Sequence, residues 1–340
     1  MSKYKHKKHL SLQIAETERW SKYNHKQQRT YRTVDDNWKE DLNLIPGAKK
    51  LELFYKYAFE GNKKMLKYIF ESEGNAFDIN SFDKDHNNVL MYAVKSGKKE
   101  VVKYLLEIGV NPNYINNLGF SPFHLAVRKN RFDLVATLFD SGASIDILDV
   151  DGQTAIFDAV CENNPKMILC LEMNGADVNQ KNNEGLTPLM ISAHNAKRQE
   201  AMLQLLCLGV DVNVVDSTGK NAFMHAIMHE NNPMMDILLK HGTNINARDN
   251  KFKTALMYCA KTGNREGLRV LIARGADIFA KDIHGKTALD HAKKYGFKTC
   301  EEVLTKAEKI CKNEDLTAEE KIMLLKQFAR HNKVANSCAR

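Results

Sequence analysis

The sequence is poor in the parts from which chemistry is built. It contains no G-x-x-x-x-G-K-S/T run and no G-x-G-x-x-G turn, so both backbone cradles for nucleotide phosphates are missing. G-x-S-x-G and H-E-x-x-H are absent too, which removes the nucleophile elbow of acyl hydrolases and the helical zinc site of metallopeptidases. Asp146-Ile-Leu-Asp149-Val-Asp151 lacks the spacing of a calcium loop and reads as a hairpin turn. The chain is expected to be no enzyme, with no catalytic residue, no cofactor and no metal ligand.

Long apolar runs are also missing. No stretch approaches the roughly 18 residues that a membrane helix needs, and the first thirty positions, Met1 to Thr30, hold no signal-peptide core. The seven cysteines are odd in number, scattered and never in C-x-x-C spacing, which argues against a disulfide framework or a zinc ribbon. An intracellular chain with reduced thiols is expected, cytoplasmic or nuclear. The net charge of +8 favours acidic partners, although 50 basic residues against 42 acidic ones is a modest excess.

What the sequence does have is a period. The tetrapeptides Asn88-Val-Leu-Met91, Ser121-Pro-Phe-His124, Thr154-Ala-Ile-Phe157, Thr187-Pro-Leu-Met190, Asn221-Ala-Phe-Met224, Thr254-Ala-Leu-Met257 and Thr287-Ala-Leu-Asp290 step by 33, 33, 33, 34, 33 and 33. Two residues before them stand Gly119, Gly152, Gly185, Gly219 and Gly285, with His86 and Phe252 in the other two units. Two residues after them stand small side chains: Ala93, Ala126, Ala159, Ser192, Ala226, Cys259 and Ala292. Each opening residue suits a helix N-cap, and Pro122 and Pro188 then occupy the first helical turn, where a missing N–H costs nothing. Runs such as Leu105-Leu106-Glu-Ile-Gly109 and Leu271-Ile272-Ala-Arg-Gly275 give a second helix stopped by glycine.

With these residues the sequence resembles the ankyrin-repeat family, whose pattern is D-x-x-G-x-T-P-L-H-x-A followed by L-L-x-x-G-A-D-x-N. The resemblance covers about Leu51 to Lys306. It implies an all-α solenoid of stacked helix-turn-helix units with projecting hairpin loops, in which His124 is a framework histidine bonded to the neighbouring hairpin. The expected organisation is a basic N-terminal arm at 1–48, an N-terminal capping repeat at 49–82, and repeats at 83–115, 116–148, 149–181, 182–215, 216–248 and 249–281. A C-terminal repeat or cap follows at 282–310, and a helix and tail at 313–340. Stacking alone buries the apolar face of such units, so the terminal ones are atypical.

The flanks leave alternatives open. Lys3, Lys5, Lys7 and Lys8, mixed with His6 and His9, read as a solvated arm, a nuclear-import patch, or a contact for an acidic partner or nucleic acid. At the other end Thr317-Ala-Glu-Glu320 is a capping box, followed by Ile322, Leu324, Leu325 and Phe328 at helical spacing. That helix reads as a cap on the last repeat or as a docking helix. No F-box or suppressor-type box is present.

Function implied by the resemblance is protein recognition, as a scaffold or adaptor, on a concave surface of first-helix faces and hairpin tips. The alternative is a nuclear, nucleic-acid-associated regulator acting through the basic arm. Variable positions on that surface nominate Leu118, Phe120, Leu125, Leu186, Ile191 and Met228 as an apolar patch. Lys220, Lys253, Tyr258, Lys261, Lys286 and Lys294 make the later units basic. The expected occupant is a protein with an apolar anchor and acidic residues, bound to a monomeric chain. His225, His229 and His291 are expected on the exposed side of first helices, where they could meet His194, and read as ordinary surface histidines. The family further implies asparaginyl hydroxylation, with Asn113, Asn179, Asn213 and Asn246 as candidates, each having a leucine eight residues earlier.

Overall fold

Each tetrapeptide identified in the sequence starts a helix in the computed structural model of the chain, which describes residues 47–73 and 78–330. The described residues divide between two compact parts, 47–57 with 64–73, and 58–63 with 78–330. Two helices precede the regular units, α1 (Gly47–Glu60) and α2 (Lys63–Glu73). Phe54, Leu66 and Ile69 are buried at helical spacing along them.

Then follow seven pairs: α3 (Val89–Ser96) with α4 (Lys99–Glu107), α5 (Pro122–Arg128) with α6 (Phe132–Asp140), α7 (Ala155–Cys161) with α8 (Pro165–Met173), and α9 (Pro188–Ala193) with α10 (Gln199–Cys207). The remaining three are α11 (Ala222–Met228) with α12 (Asn232–Lys240), α13 (Ala255–Thr262) with α14 (Arg265–Ala273), and α15 (Ala288–Tyr295) with α16 (Lys298–Lys312). First helices pack side by side in chain order, α3 on α5 and so on to α15, and each also packs on its own second helix. The second helix of the last unit runs on to Lys312, two residues past the boundary expected at 310. A final helix, α17 (Ala318–Arg330), packs on α14 and α16 behind its capping box, in which the Thr317 N–H donates to Glu320 Oε2 at 2.8 Å.

The local reasons are those of the sequence. Asn88, Ser121, Thr187, Asn221 and Thr287 each accept the N–H three residues on. Between units, a ladder joins successive hairpin loops: Asn117 N–H to Asp85 O, Val150 to Leu118, Asn183 to Asp151, Ser217 to Glu184, Asn250 to Thr218 and Ile283 to Lys251, at 3.0–3.3 Å. That closeness explains the hairpin glycine. Gly185 has φ +77, and a Cβ there would lie 2.6 Å from the Ser217 nitrogen. His86 and Phe252, which replace this glycine, hold the same left-handed φ of 57, an unfavourable backbone for side chains of their kind.

Candidate functional site

One residue pair recurs in every unit, nine positions apart, and it decides what the first-helix face offers. Its first member closes the hairpin. In the first unit Asp83 Oδ1 accepts the N–H groups of Asp85 and Asn87, and Asn116, Asp149, Asn182, Asp216, Asp249 and Asp282 repeat the arrangement. Its second member lies on the first helix. Where that residue can donate, the hairpin residue is Asp and its free oxygen takes the bond: Tyr92 to Asp83 (2.7 Å), His225 to Asp216 (2.9 Å), Tyr258 to Asp249 and His291 to Asp282 (2.9 Å).

Where the helix residue is apolar, Leu125 or Ile191, the hairpin carries Asn116 or Asn182 instead. The NH2 of an asparagine needs no donor from the helix, so the exchange keeps the turn and avoids an unpaired carboxylate. This correlation was present in the sequence and is missed when hairpin and helix positions are read separately.

The third unit breaks the rule by pairing Asp149 with Asp158. Burial pushes the Asp158 carboxyl up to about 8; the Arg128 guanidinium, 3.6 Å away, opposes this and Asp149 adds to it. Arg128 lies over the Phe120 ring, 4.5 Å from its centroid.

These contacts correct the expected patch. Phe120, Leu125, Leu186 and Ile191 are buried, between 3% and 9% exposed. They build the stack and do not form an apolar face turned to solvent. Tyr258 is buried with its hydroxyl on Asp249, and burial followed by that carboxylate raises its pKa. His225 and His291, expected on an exposed side, are each 7% exposed. Leu118, Lys220 and Lys253 are half-buried, whereas Met228, Lys261, Lys286 and Lys294 are exposed.

His124 sits where the resemblance put it. Its ring faces the Gln153 carbonyl at 3.4 Å and the Ser121 hydroxyl at 3.0 Å, and burial lowers its pKa to about 4. His194, His225 and His229 gather together, while His291 stays apart from them, beside Tyr295. The hydroxylation candidates are exposed, and three have a role in stacking: the side-chain oxygens of Asn113, Asn213 and Asn246 accept the Ser144, Asn244 and Asp277 N–H groups of the next unit. Asn179 keeps a turn bond from its own N–H to Asp177. The basic cluster from Lys3 to His9 lies outside the described residues.

Exposed apolar side chains also occur on the hairpin loops. Phe82, Ile115 and Leu148 follow one another at 33-residue spacing and are 47–48% exposed. Phe82 stacks on Tyr114, with centroids 5.7 Å apart, so these loops stand side by side. The same register continues as Lys181, Val215, Arg248 and Lys281. Sequence reading passed over this column because each residue precedes a turn former and looks like ordinary loop.

Stacked helix pairs, projecting loops and a repeated hairpin aspartate or asparagine define an ankyrin-repeat protein. The chain belongs to that family: the description "Ankyrin repeats (3 copies)" matches residues 53–149, 123–216 and 189–282. It is 37% identical over 131 residues to the mouse B-cell lymphoma 3 protein homolog, and 27% identical over 166 residues to a putative palmitoyltransferase, ZDHHC13, of zebrafish. These matches cover 37% and 48% of this chain, but only 29% and 26% of the two relatives. Among solved structures, the ankyrin repeat domain of Bcl-3, described as a unique member of the IkappaB protein family, superposes with a TM-score of 0.57 at 31% identity, covering 64% of this chain and 99% of that one. Such repeats generally mediate protein–protein interaction. No described helix is long and apolar enough to cross a membrane.

Proposed function

We propose that the chain is a non-enzymatic scaffold or adaptor that holds a protein partner along the concave face and hairpin edge of its stack. The observation that carries this reading is the column Phe82, Ile115 and Leu148, half-exposed on adjacent loops. Covering the remaining exposed area of each stabilises a complex by about 1 kcal/mol, enough together to anchor a partner segment. Basic side chains take over along the same row at Lys181, Arg248 and Lys281, and on the neighbouring surface at Lys220, Lys253, Lys261, Lys286 and Lys294. The partner segment is therefore apolar at one end and acidic at the other, with Leu118 and Met228 as flanking contacts. The likeness to a Bcl-3 domain fits a regulator that works by recognition in the cytoplasm or nucleus. Palmitoyl transfer is not carried over, since the zebrafish match spans only about a quarter of that protein.

Affinity capture tests this. The intact chain is compared with a Phe82→Asp, Ile115→Asp, Leu148→Asp variant and with a Lys261→Glu, Lys286→Glu, Lys294→Glu variant. The first loses its captured partner, and the second holds it with a weaker dependence on salt. If both retain every protein that the intact chain captures, the surface is wrong. Hydroxylation of Asn113, Asn179, Asn213 or Asn246 is read in the same material by peptide mass spectrometry.

A further inference from the structure

Three imidazoles from two consecutive units converge beside the first-helix row. His194 ends α9, His225 lies within α11 and His229 ends α11. Nε2 of His194 is 3.1 Å from Nδ1 of His225, and one ring nitrogen from each of the three histidines lies within 4.8 Å of the others. His225 is buried, His194 half-buried and His229 exposed, so the group opens to solvent on one side.

We propose that His194, His225 and His229 bind a divalent transition-metal cation, Zn2+, which ties one repeat to the next. Two nitrogens on a tetrahedral zinc, each about 2.0–2.1 Å from the metal, stand roughly 3.3 Å apart, close to the separation of the first pair. Bringing His229 to the same spacing takes about 1.5 Å of ring movement. Its exposed position at a helix end permits that by side-chain rotation. Three imidazoles and one open position match the three-ligand arrangement of solvent-accessible zinc, and a set without carboxylate or carbonyl donors selects against Ca2+ and Mg2+.

The orienting bond is already made. Asp216 accepts the Nε2–H of His225, which fixes the tautomer that turns the Nδ1 lone pair toward His194. Asp216 is itself held by the N–H groups of Thr218 and Lys220. The framework alone does not demand histidine here, because Tyr92 and Tyr258 make the same bond to their hairpin aspartates with a phenol. The histidine supplies something the phenol cannot, a second nitrogen facing two further imidazoles.

The test uses the intact chain and Zn2+ as its chloride, followed by calorimetry, with Co2+ as a spectroscopic probe of ligand geometry. One equivalent binds, Co2+ shows the visible bands of a tetrahedral nitrogen site, and Zn2+ raises the Tm. His194→Ala and His229→Ala each weaken binding at least about tenfold, the size expected when a ligand or its support is removed. His225→Tyr keeps the bond to Asp216, as Tyr258 does to Asp249, so it folds and yet loses the metal. His241→Ala, a change at an exposed histidine elsewhere, leaves binding as it was. Absence of saturable Zn2+ binding overturns the proposal. So does binding that persists undiminished in a His194→Ala, His229→Ala double variant, which would place the metal on other histidines.

Discussion

The fifth and seventh repeats, built around His225 and His291, begin from the same bond and end in different chemistry. In each, a buried imidazole gives its Nε2–H to a hairpin aspartate at 2.9 Å. The other nitrogen meets different neighbours. At His225 it faces His194 from the preceding repeat, with His229 alongside; at His291 the corresponding residues are Lys261 and Tyr295, and Nδ1 is buried with no hydrogen-bond partner among the described residues. A framework bond therefore fixes where an imidazole stands, and the residue contributed by the repeat before it decides what the imidazole can do.

Removing the shared bond has the largest effect and should not distinguish the two in stability. Asp216→Ala and Asp282→Ala each strip a nearly buried carboxylate from two loop N–H groups and a histidine, and each is expected to cost about 3 kcal/mol in urea unfolding. Only Asp216→Ala should also weaken Zn2+ binding. The converse test transfers the difference. Lys261→His with Tyr295→His gives His291 the neighbours that His225 has, and the variant is expected to take up a second equivalent of Zn2+ in the same calorimetric titration. A single equivalent would mean that position in the repeat does not carry the site.

The third repeat sharpens the rule from the other side, since Asp158 stands where Tyr or His donates elsewhere. Its carboxyl is raised from 3.8 to about 8, so its folded form holds a proton that the unfolded chain releases. Stability from this group is complete below pH 3.8 and is lost as pH rises through about 8. Asp158→Asn should match the parent in Tm near pH 4 and exceed it progressively as the pH rises toward 8. Equal Tm values across that range would show that Arg128 neutralises the carboxylate fully. The smallest effect is expected for His225→Tyr, under about 1 kcal/mol in unfolding, because the phenol preserves the aspartate bond.

Much of this architecture can be read without coordinates. The period of the tetrapeptides, the caps at Ser121, Thr187 and Thr287, and the capping box at Thr317 all act within a few residues, so local sequence carries them. The loop ladder and the Oδ1 bonds from Asn113, Asn213 and Asn246 join residues about 31–33 positions apart. Periodicity implies that such contacts exist, without naming their atoms. The variable positions were misread where depth mattered. Phe120, Leu125, Leu186 and Ile191 vary between units as a recognition face would, yet all four are buried.

The sequence by itself determined that the chain repeats, where each helix starts and stops, and that one unit must lie against the next, because caps, glycine turns and apolar spacing are local physics. Tertiary structure alone decided which side chains of the repeating face stay in water and which three histidines meet. Those outcomes depend on the offset and closeness of neighbouring repeats, a distance that a one-dimensional period does not contain.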